Sequence, residues 1–402
     1  MTTRPGNARG RKAGTVLPVA ALLVTVVLVP SLLAGATPAL AGPATPRVTA
    51  WDPAARIDPE LRTLLDGVIA AGVPGALVRV RDHGRVRQAA AGVADLATGT
   101  PLRPQARVRV GSVTKTFVAA VVLQLVGEGR LALDRPVGRW LPGLLRDGDT
   151  ITVRQLLNHT SGLFDYTADP ALLAGVVQNR VFAPTELVAL AETHPRSFPP
   201  GTAWEYSNTN YIVAGLLIQA VTRHPLGEEL QRRIFRPLGL ADTSFPATTG
   251  NLPGYHAHGY VPPDLVPTAG GRPFDVTGFS PSHAWAAGAL VSSARDLSRF
   301  YQSLLGGELL SAPLLAQLRT TVAESPTEPD FRYGLGIERV QDRCGVNWGH
   351  SGAIFGYQTM AFWNEDTGRT VVMASTLDPA PTAAEAALAK AADQVLCGPS
   401  SP

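Results

Sequence analysis

The sequence predicts a protein of mixed α and β structure, in which both ends of the chain complete one mainly antiparallel sheet. Strand-like alternation occurs near the start of the chain and returns after residue 345. Between these two regions, residues 131–282 hold short helical patterns broken by many prolines and glycines. We therefore expect a sheet flanked by helices, with an all-α domain inserted in the middle.

The length of 402 residues suits one large domain or two closely packed ones. The patterns above divide the chain into a discontinuous sheet domain, residues 52–130 and 283–398, and a mainly helical domain, residues 131–282. We expect the active site between them. Nothing in the sequence predicts an oligomer, so a monomer is the default expectation.

The first 41 residues have the composition of a secretory signal peptide. A basic start leads into an apolar run over 16–34, and Ala39-Leu40-Ala41 is a small-residue cleavage pattern. An uncleaved membrane anchor is the alternative, but Pro18 and Pro30 interrupt the run. We expect cleavage after Ala41 and a secreted, extracellular protein without a stable membrane anchor.

The charge balance argues against a nucleic-acid partner. Four of the 35 basic residues lie in the first 41 positions, which leaves 31 basic against 32 acidic residues in the rest of the chain. Such a balanced chain lacks the basic patch that a polyanion needs.

The N-terminal half first predicts a helix that is capped by Asp58 and Pro59 and ends at Gly72. A hairpin of strands 76–81 and 85–91 follows. The helix over 117–126 is apolar on nearly every face, so we expect it to be buried. The rest of the chain predicts a capped helix over 151–157, a helix from about Asn208, an irregular loop over 253–281, strands 345–350, 358–363 and 369–374, and a final helix to Leu396 with a capping box of Thr382 and Glu385.

Lysine is rare in this chain. Of the 35 basic residues only Lys12, Lys115 and Lys390 are lysine. Lys12 leaves with the signal segment, and Lys390 lies on what looks like an ordinary exposed helix face. A lysine kept at position 115 indicates a task that arginine cannot perform, such as losing a proton.

Ser112 and Lys115 are the predicted nucleophile and its proton-handling amine. At the start of a buried helix, residues i and i+3 share a face, so the amine lies beside the hydroxyl. Burial lowers the pKa of an amine, and the helix N-terminus favours the developing oxyanion. Taken alone, the pair also fits a serine cap followed by a surface lysine.

Two later segments carry groups that suit the same chemistry. Tyr206 can pass a proton, and Asn208 can hold a substrate carbonyl or orient the lysine. His350, Ser351 and Gly352 open a strand-like stretch whose backbone can lend an N–H to an oxyanion hole. Taken alone, the segment with Tyr206 and Asn208 is also typical of a turn with a helix cap. The segment with His350 is also typical of a structural histidine in a glycine-rich turn.

In an exported protein, the pair of cysteines Cys344 and Cys397 predicts a disulfide. Closing this loop contributes about 4 kcal/mol by chain entropy. Two buried free thiols are the alternative. No cysteine–histidine cluster has metal-ligand spacing.

The three segments together match, in chain order, the S-x-x-K, Tyr-x-Asn and K/H-[ST]-G motifs of the penicillin-recognising serine hydrolases, which include β-lactamases and penicillin-binding proteins. The sequence resembles the class C branch of this superfamily, and most of all its exported D-alanyl-D-alanine carboxypeptidases from actinomycetes. The resemblance runs from about residue 58 to 398. It includes the cysteine pair and the segments 109–115, 151–155, 206–210 and 333–336.

This resemblance implies the β-lactamase/transpeptidase-like fold and no metal or organic cofactor. Ser112 would be acylated by a D-alanyl-D-alanine peptide, such as a peptidoglycan stem peptide, or by a β-lactam. Lys115 and Tyr206 would move the protons, and Asn208 would contact the substrate amide. His350 would stand where other members have lysine. The backbone amides of Ser112 and Ala353 would form the oxyanion hole.

One position departs from the carboxypeptidase pattern. Where those enzymes use an arginine to hold the substrate carboxylate, this chain has Glu338, and Arg339 follows it. A one-residue offset on a strand reverses the side chain, so either a bulge brings Arg339 to the carboxylate or the protein does not bind a free carboxylate in this way.

The substrate therefore stays open at this point. A carboxypeptidase is the first hypothesis, and a class C-like β-lactamase or an esterase uses the same chemistry. An inactive cell-wall-binding homologue belongs to a different class, but it would have no need for intact Ser112, Lys115 and Tyr206.

Overall fold

The computed structural model describes residues 57–266, 270–325 and 327–398. The predicted signal segment and its cleavage site at Ala41 lie outside these ranges. Among the helices within them, none is long and apolar enough to cross a membrane.

The strands are β1 (Gly75–Asp82), β2 (Arg85–Asp95), β3 (Thr100–Pro101), β4 (Arg107–Arg109), β5 (Tyr260–Val261), β6 (Phe274–Asp275), β7 (Val291–Ser293), β8 (Val322–Ala323), β9 (Phe331–Tyr333), β10 (Glu338–Asp342), β11 (Gly345–Ile354), β12 (Tyr357–Asn364) and β13 (Thr370–Ser375). In the described ranges, nine of them form one sheet in the order β3-β2-β1-β13-β12-β11-β10-β9-β8, and every pairing is antiparallel. Because β1 pairs with both β2 and β13, the N-terminal hairpin and the C-terminal strands share one sheet, as the sequence predicts.

The helices are α1 (Pro59–Ala70), α2 (Thr114–Gly127), α3 (Val153–Leu157), α4 (Pro170–Val177), α5 (Pro184–Glu192), α6 (Thr209–Thr222), α7 (Leu226–Leu230), α8 (Arg236–Leu238), α9 (Trp285–Gly288), α10 (Ala294–Leu305), α11 (Ala312–Leu318) and α12 (Thr382–Cys397). Helices α3 to α8 fall within the stretch 131–282 that the sequence predicts to be helical, together with the two-residue strands β5 and β6. The domain boundaries at 131 and 282 stay a prediction.

Local sequence explains how several helices begin. The Asp58 carboxylate accepts hydrogen bonds from two N–H groups of the first turn of α1, and Pro59 is its first residue. The predicted capping box of the last helix is wrong, however. Pro381, in an extended conformation, occupies the cap position of α12, so Thr382 is already the first helical residue.

Helices cover both faces of the sheet. Alternate residues of β1 point to opposite sides, so Val78 packs with Leu65 of α1 and Leu388 of α12, whereas Leu77 joins the larger core around α2. Helix α2 is buried at every position from Thr114 to Leu123, as its apolar sequence predicts. Because α2 is anchored in the core, the turn before it is held in a fixed position.

The predicted disulfide is present. Cys344 and Cys397 are bonded, with their Cα atoms 5.1 Å apart. The bond ties the end of α12 to the turn between β10 and β11. The Arg343 guanidinium adds a second connection, since it pairs with Asp393 of α12.

Candidate active site

Ser112 and Lys115 meet at the start of α2. A 3₁₀ turn, Gly111–Val113, leads into the helix and places Lys115 Nζ 3.0 Å from Ser112 Oγ. The amine also donates to Asn208 Oδ1 at 2.7 Å and to the Ala287 carbonyl at 2.8 Å. These three acceptors match the three hydrogens of an ammonium group. A neutral Lys115 has a lone pair that can take the Ser112 proton.

The surroundings of Lys115 make the neutral form accessible. The residue is 0% exposed. Burial lowers its pKa to about 7, although Asp165 and Glu338 oppose this shift. A base whose pKa lies near the operating pH is well matched to general-base catalysis.

Tyr206 lies next to the same two residues. Its ring centroid is 4.9 Å from Lys115 Nζ, and its phenol is close enough to Ser112 for the two groups to interact. Burial raises the phenol pKa well above its ordinary value, so Tyr206 stays protonated at neutral pH. Of the two groups, Lys115 is therefore the one suited to act as a base, and Tyr206 lies where a proton relay would need it.

The Asn208 amide lies between Lys115 and an acid that the sequence analysis missed. Asn208 Nδ2 donates to Asp165 Oδ2 at 3.0 Å. The other carboxylate oxygen of Asp165 accepts the Thr167 N–H and so caps the 3₁₀ turn Tyr166–Ala168. Motif matching could not find Asp165, because its contact with Asn208 joins two distant parts of the chain.

Glycines bring strand β11 against the Ser112 turn. Gly111 has φ +50°, and a Cβ there would lie 2.6 Å from the Ala353 carbonyl oxygen. A Cβ on Gly352 would lie 2.1 Å from the Val110 carbonyl oxygen. Only glycine permits this approach. The backbones of Ser112 and Ala353 are thus adjacent, as an oxyanion hole made from their N–H groups requires.

His350 is buried on β11. Its Nε2 is 2.7 Å from the Tyr333 hydroxyl, and its Nδ1 is 3.1 Å from the Glu338 carboxylate. Burial lowers the pKa of the imidazole, although Glu338 opposes the effect. At neutral pH His350 therefore does not supply the permanent positive charge of a lysine.

Glu338, rather than Arg339, faces the site. The Glu338 carboxylate accepts the Ser351 hydroxyl at 2.8 Å and the Ser351 N–H at 3.1 Å. The pairing of β10 with β9 and β11 has no register shift, so the bulge that would bring Arg339 inward is absent. The Arg339 guanidinium instead donates to Gln341 two residues along its own strand. Of the two alternatives for Arg339, the structure therefore favours the second, in which Arg339 is not available to a substrate carboxylate.

His159 is a second residue near the site that the motifs did not identify. It is fully buried, with φ +62°, and its ring centroid is 4.3 Å from that of Tyr206. The Ser207 N–H donates to its Nδ1 at 3.1 Å, which places the proton on Nε2. In the sequence His159 lies two residues after the predicted helix over 151–157 and belongs to none of the three motifs. Its packing against Tyr206 indicates a supporting role.

A hydroxyl beside a buried amine, a phenol and two adjacent backbone amides is the arrangement of a serine hydrolase that works by acyl transfer. The β-lactamase family model matches residues 60–395. The chain belongs to this family. It is an enzyme of the serine β-lactamase and hydrolase superfamily and has the β-lactamase/transpeptidase-like fold.

Among solved structures, the chain is similar to a D-stereospecific amidohydrolase from Streptomyces sp., with 39% identity, a TM-score of 0.77, and coverage of 85% of this chain and 98% of the other. It is also similar to a D-amino acid amidase from Ochrobactrum anthropi, with 30% identity, a TM-score of 0.74, and coverage of 84% and 96%. The esterase EstB of Burkholderia gladioli is 37% identical over 42% of this chain and 47% of its own length. The chain thus spans about half of that relative. Other relatives are named penicillin-binding proteins and D-aminopeptidases.

Proposed function

We propose that the protein is an exported serine amidohydrolase that cleaves amides or short peptides of D-amino acids through an acyl-enzyme on Ser112. The observation that carries the choice of substrate is the charge beside Ser351. Glu338 occupies the place of the carboxypeptidase arginine, and a buried His350 with a lowered pKa occupies the place of the lysine. Neither group attracts a substrate carboxylate, whereas a neutral amide has no charge to be repelled.

In the proposed reaction, neutral Lys115 takes the Ser112 proton as the oxygen attacks the amide carbon. The resulting oxyanion is held by the N–H groups of Ser112 and Ala353. Tyr206 passes a proton from Lys115 to the departing nitrogen, and the carbon–nitrogen bond breaks. Water then attacks the ester by the reverse proton path and releases a carboxylic acid and free Ser112.

The similar structures support this substrate class, since one is named a D-stereospecific amidohydrolase and another a D-amino acid amidase. A D-alanyl-D-alanine carboxypeptidase that binds penicillin is the second candidate, supported by the motif set and by relatives named penicillin-binding proteins. Its substrate ends in a free carboxylate. Two like charges about 4 Å apart near a protein surface repel by about 4 kcal/mol, so Glu338 weighs against this candidate. The same repulsion by Glu338 weighs against a β-lactamase but not against an esterase.

The test compares kcat/KM for D-phenylalanine amide, its L-enantiomer, a p-nitrophenyl ester and an acylated D-alanyl-D-alanine peptide, with Ser112→Ala as the blank. We expect the D-amide to be preferred over both the L-amide and the dipeptide. Preference for the dipeptide, with a long-lived penicillin adduct by intact mass, would favour the carboxypeptidase. Rapid penicillin turnover would favour a β-lactamase, and turnover of the ester alone an esterase. No adduct and no hydrolysis would support the inactive cell-wall-binding homologue.

Export is tested separately. Expression of the full chain in an actinomycete host should release a protein into the medium whose N-terminal sequence begins at Gly42. Retention of the uncleaved chain in the membrane fraction would contradict this part of the proposal.

A further inference from the structure

We propose that Asp165 is a positioning residue of acylation, whose carboxylate holds the Asn208 amide with its oxygen towards the Lys115 amine. This inference rests on the acyl-transfer chemistry proposed for Ser112 and Lys115, but not on the identity of the substrate. It follows from a continuous set of hydrogen bonds from Asp165 through Asn208 and Lys115 to Ser112.

The two oxygens of Asp165 have separate partners. Oδ1 accepts the Thr167 N–H at 3.0 Å and caps a local turn. Oδ2 accepts from Asn208 Nδ2, also at 3.0 Å, across the site. The cap alone needs one oxygen and no charge, because asparagine and serine cap equally well. The second contact is therefore the one that requires a carboxylate.

An asparagine amide has nearly the same shape after a half-turn that exchanges its oxygen and nitrogen. The Lys115 ammonium can donate to Oδ1 but not to Nδ2, so only the orientation with Oδ1 inward is productive. Asp165 selects that orientation because a carboxylate accepts and cannot donate. The remaining partner of Asn208 Nδ2, the Thr167 hydroxyl at 3.5 Å, is too distant to do the same.

The charge of Asp165 also acts on the amine. Asp165 and Glu338 raise the pKa of Lys115, against the larger effect of burial. The imidazoles of His159 and His350 lie close enough to interact electrostatically with Lys115. The ring faces of Tyr206 and Tyr211 lie 4.9 and 5.5 Å from its nitrogen. Removing the Asp165 charge should therefore lower the pKa of Lys115.

The decisive variant is Asp165→Asn, which keeps the turn cap and removes the acceptor for Asn208. We expect kcat/KM for p-nitrophenyl acetate to fall by about 10- to 100-fold, as for loss of a hydrogen bond to a charged group. The pH at which kcat/KM falls on the acid side of the profile should also be lower in this variant. Asp169→Asn is the matched control, because Asp169 also caps a helix start but pairs with His194 away from Lys115. The control should retain the wild-type rate and pH profile.

Lysine-selective isotope labelling gives a readout that needs no substrate. The chain has three lysines, so Lys115 can be assigned with one Lys115→Arg sample and titrated by NMR. The midpoint should be lower in Asp165→Asn, and the Lys390 signal should be the same in every variant. An unchanged Lys115 midpoint together with an unchanged esterase rate would overturn the proposal. If the wild type has no activity on any substrate, the proposed function fails while this titration still tests Asp165.

A double-mutant cycle separates positioning from general support of the fold. If Asp165 acts through Asn208, the change Asp165→Asn should have little further effect in an Asn208→Ala background. If the two losses in kcat/KM are fully additive and thermal unfolding is unaltered, Asp165 does not act through the Asn208 amide.

Discussion

Lys115 Nζ and Ser112 Oγ are hydrogen-bonded at 3.0 Å in a place where the lysine has no exposed surface. A surface lysine would remain an ammonium and could not accept a proton at neutral pH. Burial removes that obstacle while the hydrogen bond sets the direction of transfer. Most of the expected behaviour of this protein follows from that one contact.

Lys115→Arg should abolish acylation. Guanidinium keeps its charge, so the variant has no base next to Ser112. Loss of a general base typically costs about 10² to 10⁴ in rate. Burst kinetics with a p-nitrophenyl ester measure this step directly. Lys390→Arg is the matched control on an exposed helix face, and it should retain full activity. A near-normal burst in Lys115→Arg would refute the proton-transfer role.

The activity should rise with pH through about 7. The reactive form of Lys115 is the neutral amine, and its pKa lies at about 7. Below this value the ammonium form dominates, so kcat/KM should fall by about tenfold for each pH unit. A pH series from about 5 to 9 with a neutral ester checks this, because the substrate does not titrate. A flat profile across pH 7 would show that another group is the base.

Replacing Glu338 should change which leaving groups are accepted. Glu338→Arg places a positive charge near Ser351, so kcat/KM for a D-alanyl-D-alanine peptide should rise relative to a D-amide by more than about tenfold. Glu338→Gln should move the ratio in the same direction by less. Arg339→Gln is the control, since its side chain points away from the site. An unchanged ratio in Glu338→Arg would mean that the leaving group does not approach this carboxylate.

Gly352→Ala should inactivate the enzyme without unfolding it. The new Cβ would lie 2.1 Å from the Val110 carbonyl oxygen, so β11 must move away from the Ser112 turn. Such a shift separates the two amides of the oxyanion hole, which typically costs about 10² to 10³ in kcat. Gly67→Ala on α1 is the control, because nothing lies within 4 Å of the added methyl group. Equal activities of the two variants would exclude this strand from the site.

The disulfide should contribute to the stability of the fold and not to the rate of catalysis. Cys344 and Cys397 are separated by 53 residues, and opening this loop costs about 4 kcal/mol by chain entropy. Denaturant unfolding of a Cys344→Ser/Cys397→Ser variant should show that loss in the free energy of unfolding. The kcat of the folded variant should equal that of the wild type. A large fall in kcat would indicate that the link also holds β11 in place.

Regular elements were largely predictable because their signals are local. The cap at Asp58, the hairpin around Gly84 and the apolar helix after Ser112 each depend on residues close in sequence. The cap of α12 was mispredicted because threonine is a preferred cap residue, whereas Thr382 is already helical here and Pro381 occupies the cap position without a side-chain hydrogen bond. Strands β3 to β10 had no separate prediction, because each is five residues long or less, too short for alternation to stand out.

The site was predictable where side chains belong to motifs. Ser112, Lys115 and Tyr206 lie together as the motif spacing implies. Asp165 and His159 had no such signal, since their partners become neighbours only in the folded chain. The sequence flagged Glu338 as a departure, but its pairing with Ser351 depends on the strand register, which is a property of the whole sheet.

The position of β1 between β2 and β13 has a consequence for timing during synthesis. The first hairpin is made early, yet β13, the strand that covers its inner edge, is made only when synthesis reaches residues 370–375. Until then, a row of unpaired backbone groups stays open to other chains, and pairings this distant along the chain form slowly. Likewise, the Ser112 turn is made long before β11, the strand that packs against it. A chain that has not yet reached β11 therefore has Ser112 without Ala353 beside it, and we expect no activity before β11 and β13 have been made.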